Sequence, residues 1–216
     1  MKIFNIKDVQ IEKEGEPEKM DIDRLAKQIE FVVEIDKLKG IVRQTLLTDG
    51  SRQEDSAEHS WHLAVMVMVL SEYAQEEGID LLRVLKMVLV HDLVEIDAGD
   101  TYCYDEDGNE GKLEREKSAA ERNFGLLPRE QSTEFHALWE EFESRETAEA
   151  RFAAALDRLQ PLLNNYRTHG RMWQKHGINS SQVVSRNQPI EDGAPDLWKY
   201  AANMIRDAVR KGWLLA

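Results

Sequence analysis

Cysteine is nearly missing from this chain. Cys103 is the only one in 216 residues, so no disulfide can form within the chain and paired-thiolate metal sites are excluded. Any metal must be held by His, Asp and Glu. Cationic charge is also scarce: 28 Lys and Arg stand against 41 Asp and Glu, a formal net charge of -13. A nucleic-acid polymer needs a cationic footprint, so that partner is not expected. A small anionic substrate remains open, because a local Arg cluster or a bound cation can reverse the field inside a cleft. Long apolar runs are absent too. The longest, Leu63 to Leu70, falls well short of the roughly 20 residues that span a bilayer. The first residues carry no apolar stretch followed by a small-residue cleavage site. The expectation is a cytoplasmic protein with no membrane partner.

What is present reads as one helical domain. The 42% hydrophobic and 32% charged residues are a globular balance, and the length suits a single core. Residues 1–20 are polar and read as an N-terminal arm, with a short strand across Met1 to Val9. From Asp21 apolar residues recur every three to four positions (Ile22, Leu25, Ile29, Val32, Val33), the helix period, until Gly40 breaks or bends the run. Thr48 to Asp55 is turn-rich. Ser56 is expected to cap a helix to about Glu77 that is apolar almost all round. Such a helix is expected at the buried centre of a bundle, with Met66 and Met68 in the core. Asp80 caps the next helix, Leu81 to about Ala98, ended by Gly99. An acidic loop over Asp100 to Gly111 precedes helices at Lys112 to Asn123, Pro128 to Ser144, Thr147 to Tyr166 and from Pro195 onward. No hairpin is expected. The class is all-α, a single-domain bundle over residues 21–216.

Four residues on these helices could share one cation. His59 lies in the first turn of one apolar helix. His91 and Asp92 are adjacent in the next, inside VLVHDLVEID, and Asp157 lies on a later one. A carboxylate among Leu89, Val90, Leu93 and Val94 is costly to bury unless it is paired or ligates a metal. Neighbouring helical side chains point about 100° apart, so His91 and Asp92 can grip one ion between them. Two imidazoles and two carboxylates suit Mn, Co, Fe, Zn or Mg. Taken alone, the pair reads more readily as a core histidine beside an aspartate bound to Arg83 or Arg158; the order His, His-Asp, Asp on helices of one bundle is what points to a metal. Glu95 follows His91 by four residues and Asp92 by three, so it shares their face and could exchange protons with a water there. His62 reads as core or as a support for the site. His136, His169 and His176 lack carboxylate partners at ligand spacing.

The segments EDSAEHSWH, LVHDLVEIDAGD and ALDRLQPLL resemble the HD-domain metal-dependent phosphohydrolase superfamily, and within it the 5'-deoxynucleotidase branch, over roughly Ile35 to Tyr166. The resemblance implies an all-helical HD-type fold and often a homodimer. It implies one divalent metal ion on His59, His91, Asp92 and Asp157, and hydrolysis of the phosphate of a small nucleotide. It also implies a catalytic role for Glu95, contact of Asp100 with the sugar, and contact of Arg43 with the phosphate; Arg52 fits the same pattern. One position departs. The branch can carry tryptophan directly after the phosphate-binding arginine, where it crowds a 2'-hydroxyl, and here Gln44 stands there. Two rival readings remain: a di-iron oxygenase, which needs further ligands for a second ion, and a non-catalytic nucleotide-binding protein that has kept the fold.

Overall fold

The structure, a computed structural model, describes residues 21–216; the arm and short strand expected over residues 1–20 lie outside them. Twelve helices are described, with α1 (Ile22–Glu34) the first. Its N-cap is Asp21, whose carboxylate accepts from the Arg24 amide at 3.0 Å and so satisfies one of the free N–H groups of the first turn. A 3₁₀ turn (Ile35–Gly40) then leads into β1 (Val42–Leu46), which pairs antiparallel with β2 (Gln53–Asp55). This hairpin corrects the sequence expectation. Its strands are five and three residues long, with an irregular register between Val42 and Leu46. They are joined by a six-residue loop rather than a two-residue turn, so neither alternation nor turn chemistry announced them.

α2 (Ser56–Leu70) starts from a reciprocal cap: the Asp55 carboxylate accepts from the Glu58 amide at 2.9 Å, and the Glu58 carboxylate accepts from the Asp55 amide at 3.1 Å. The cap is therefore Asp55, one residue earlier than expected, and the Ser56 hydroxyl is free for other use. The helix also ends earlier, at Leu70. Only one face is buried: Leu63 and Val67 are fully enclosed, while Trp61, Met68 and Val69 are 64–70% exposed. Placing Met68 in the core was wrong. The helix lies at the edge of the bundle, so its apolar outer face meets solvent in the single chain.

α3 (Leu81–Val90), capped by Asp80 as expected, packs on α2 and α8 (Ala148–Arg167). It does not run to Ala98 as one helix. It tightens into a 3₁₀ turn (His91–Val94) and resumes as the single turn α4 (Glu95–Ala98). Gly99, at φ 75° and ψ 155°, then sends the chain sideways to Asp100, a conformation costly for any residue with a Cβ. α5 (Glu106–Asn109), α6 (Lys112–Phe124) and α7 (Arg129–Ser144) close one side, with α6 against α4 and α7.

α8 is the axis of the molecule. Ala150, Phe152, Ala153, Ala155 and Leu156 are fully buried on it. Each large apolar side chain so enclosed contributes roughly 1.5–3 kcal/mol. Its alanines let neighbours come close. α11 (Ile190–Gly193) approaches so nearly that a Cβ on Gly193 would lie 2.2 Å from the Arg151 carbonyl oxygen. α9 (Arg171–Lys175), α10 (Ser180–Asn187) and α12 (Pro195–Arg210) complete the shell, with α10 and α12 packed on α8 and on each other. The fold class is all-α as expected, with one small hairpin. Among the described residues, no helix is long and apolar enough to cross a membrane.

Candidate metal centre

Three helical segments bring their polar residues to one buried point. His59, from the first turn of α2, is fully buried; His91 is 5% exposed. One ligand atom each from His59, His91 and Asp157 lies within 4.8 Å of the others. His59 Nε2 is 3.1 Å from Asp157 Oδ1, and His91 Nε2 is 3.8 Å from the same oxygen. Asp92 faces the space from its edge, with Oδ1 3.0 Å from His91 Nε2 and Oδ2 3.9 Å from His59 Nε2. Donors about 2.0–2.2 Å from a common ion lie roughly 3–3.5 Å apart, so these separations suit a shared cation.

The hydrogen bonds on the far side of each imidazole test that fit. His59 Nδ1 lies 3.1 Å from Gln160 Oε1, and His91 Nδ1 lies 3.0 Å from the Val88 carbonyl. Amide and carbonyl oxygens only accept, so both Nδ1 atoms donate and both Nε2 atoms face the centre. His91 Nε2 is buried without a hydrogen-bond partner, because Asp92 Oδ1, though near, lies off the donor line. A cation held among these groups would give that orphaned atom its partner, and the N/O donor set is one that divalent metals accept. The tight 3₁₀ turn contributes as well. Residues three apart eclipse in such a turn, which places Glu95 directly over Asp92.

Burial opposes charge on all these groups, and the neighbours decide the outcome. His91 is pushed up to about 10, since Asp92 and Asp157 outweigh its desolvation. Asp157 and Asp92 are held well below the usual carboxylate range against the same penalty, Asp157 by the two imidazoles and Asp92 chiefly by His91 and Arg43. Glu95 goes the other way. Burial first, then the Asp92 charge, push it up to about 8, although Arg43 pulls against them. Burial likewise raises Asp100.

Arg43, on β1, reaches into this acidic ring. Its Nη1 is 2.9 Å from Asp92 Oδ2, 3.7 Å from Asp100 Oδ1 and 3.8 Å from Glu95 Oε1. Asp92 is therefore bound to Arg43 rather than to Arg83 or Arg158, the two structural partners that the sequence left open; Arg83 pairs with Glu141. Glu95 Oε2 accepts from the Ser56 hydroxyl at 2.6 Å. A cavity of about 150 Å³ opens on Arg43, Gln44, Glu95, Asp100 and Asp157.

Arg52 is not part of this group. It is exposed and its guanidinium clamps Glu58, itself held low, to about 2, chiefly by that arginine. The Arg52 expectation is corrected: its place on the loop between the strands points it at the α2 cap, not at the cavity. Sequence reasoning also missed Gln160. It is fully buried, its Oε1 orients His59, and its Nε2 donates to Glu54 Oε1 at 2.6 Å and lies 3.2 Å from His62 Nδ1. The available signal was its spacing, three residues after Asp157 on the same helix face. The remaining histidines are structural: His169 stacks on Trp213, His176 lies on Tyr102, and His136 meets Phe124 edge-on.

A helical bundle that brings His59, His91 and Asp157 within reach of one another, with Asp92 at the edge, has the donor set of a metal-binding protein. Residues 35–198 match the HD domain family, and the chain belongs to it. The chain is 32% identical over 136 residues to 5'-deoxynucleotidase HDDC2 of Xenopus laevis, covering 62% of this chain and 66% of that protein. It is 31% identical to 5'-deoxynucleotidase HDDC2 of Homo sapiens, covering 62% and 65%. It thus spans a little under two thirds of these curated relatives. The crystal structure of a predicted metal-dependent phosphohydrolase from Magnetospirillum magnetotacticum MS-1 matches with a TM-score of 0.87 at 54% identity, over 91% of this chain and 98% of that one.

Proposed function

We propose that this chain is a divalent-metal-dependent phosphomonoesterase acting on nucleoside and deoxynucleoside 5'-monophosphates, in the cytoplasm and as a homodimer, with one ion held by His59, His91, Asp92 and Asp157. The observation that carries the reading is the placement of Glu95, a buried carboxyl on the wall of a cavity that Arg43, His91, Asp92 and Asp157 also line, with His59 enclosed behind them. The names of the relatives and of the solved neighbour support the same chemistry.

When bound, a divalent cation supplies a Lewis acid for a phosphoryl oxygen and makes a water more acidic. The chain's own residues do the rest. Ser56 pins Glu95 Oε2 and leaves Oε1 to hold or pass a proton. Arg43 neutralises the substrate phosphate with its planar fork of donors, and Asp100, which lines the same cavity, meets the sugar hydroxyl. Phosphoryl transfer depends chiefly on such positioning and charge balance. Gln44 lines the same cavity with an amide where an indole would crowd a 2'-hydroxyl. The exposed apolar residues of α2 support the homodimer, since a face of that kind commonly covers a partner.

A panel of ribonucleoside and deoxynucleoside 5'-monophosphates, read by released phosphate, tests the proposal. The expected result is turnover of both sugar series, with kcat/KM values within about tenfold of each other. No release from any member, despite nucleotide binding, would favour the non-catalytic reading.

A further inference from the structure

The cavity has a second cationic wall that the proposed reaction leaves unused. Arg145 at the end of α7, Arg158 on α8 and Arg186 on α10 all line it. Three separate elements thus converge with the same charge, close enough to repel one another. Arg158 is 92% buried by its 8% exposure; its Nη1 donates to the Arg186 carbonyl and its Nε has no partner. Arg145 Nε is also buried and unpartnered. Among the described residues, no carboxylate forms an ion pair with any of the three, whereas Arg83 has Glu141 and Arg151 has Glu76.

This is an unusual state in a chain of net charge -13. Acidic residues are abundant, yet among the described residues none forms an ion pair with this cluster, and a buried guanidinium such as that of Arg158 is costly without a close counter-ion. Arg145 adds a second oddity. It ends α7 at φ 55°, the left-handed conformation that usually selects Gly or Asn at a helix end. Its long cationic side chain is kept there against the backbone preference. Arg43 shares the unpartnered Nε but differs in its charge balance, because Asp92, Glu95 and Asp100 already surround it. Both cationic groups feel Asp157, but only Arg43 forms ion pairs with Asp92, Glu95 and Asp100.

We propose that Arg145, Arg158 and Arg186 form a second anion subsite, which takes a further phosphate group on the substrate, so that a doubly phosphorylated nucleotide binds more tightly than a monophosphate. Arginine forks are suited to that group. The inference deepens the nucleotide reading of the same cleft and rests on it. The second phosphate can be contiguous with the first, as in a 5'-diphosphate, or separate, as in a 3',5'-bisphosphate, and the test carries both.

The experiment is calorimetric titration of the metal-loaded Glu95→Gln protein with a nucleoside 5'-monophosphate, its 5'-diphosphate, its 3',5'-bisphosphate and inorganic pyrophosphate. One doubly phosphorylated nucleotide should bind at least about tenfold more tightly than the monophosphate, a difference of about 1.4 kcal/mol. Adding Arg145→Gln and Arg186→Gln, both less buried than Arg158, should bring that ratio close to one, with circular dichroism confirming the fold. Equal affinities in the parent protein would overturn the subsite. So would an equal loss for mono- and doubly phosphorylated ligands, which would assign the arginines to the scissile phosphate. If the wild-type enzyme turns over no nucleotide but pyrophosphate binding still depends on these arginines, the subsite stands and the nucleotidase reading fails.

Discussion

Glu95→Gln should lower kcat by about 100- to 10,000-fold, the usual contribution of a positioned acid or base, while metal content stays at the wild-type level. The substitution is nearly isosteric. The amide oxygen still accepts from Ser56, which lies 2.6 Å from Glu95 Oε2, so the buried pocket keeps its packing and a donor for its hydrogen bond. What disappears is the ability to take up and release a proton. Burial and Asp92 raise that group to about 8, so the acid form is available near neutral pH, where an ordinary glutamate would be fully ionised. Steady-state kinetics with parallel metal analysis checks the outcome. A kcat within about twofold of wild type would remove Glu95 from proton transfer.

Asp157→Asn should be as damaging by a different route. Asp157 Oδ1 lies within reach of both imidazole Nε2 atoms, at 3.1 Å from His59 and 3.8 Å from His91. Removing its charge takes away the ligand that ties α8 to α2 and to the α3–α4 turn. Loss of a group that merely orients a ligand costs about 10- to 100-fold in metal affinity, so losing a ligand itself should cost more than about 100-fold, and activity should fall to background. A second readout separates this from misfolding. A cation that binds only the folded state stabilises it by about 4 kcal/mol when present at 1,000 times its Kd. Chelation should therefore lower the melting temperature of the wild-type protein and leave that of the variant unmoved. Equal metal-induced stabilisation in both would place the ion elsewhere.

Local chemistry made much of this molecule legible before its structure. Asp21 and Asp80 cap the helices they were expected to cap, because an acidic side chain beside a free N–H turn needs no distant partner. His59, His91 and Asp157 converge as expected, and their helices were readable from period and burial. The failures share a different cause. The break after Val90 and the hairpin that carries Arg43 depend on packing against other elements. No periodic signal marks them. Met68 looked buried because a helix apolar on all sides does not reveal which side meets the core. Gln160 lies 101 residues from His59, and the arginines of α7, α8 and α10 stand on separate elements, so their convergence on the centre is written only in three dimensions.

Phosphate release from a nucleoside 5'-monophosphate, followed while metal-stripped protein is titrated with Mn, Co or another divalent cation, probes the cage most directly. The stripped protein should be inactive, and activity should return in proportion to bound cation and level off at one ion per chain. Undiminished turnover by protein verified to be free of metal would contradict the account.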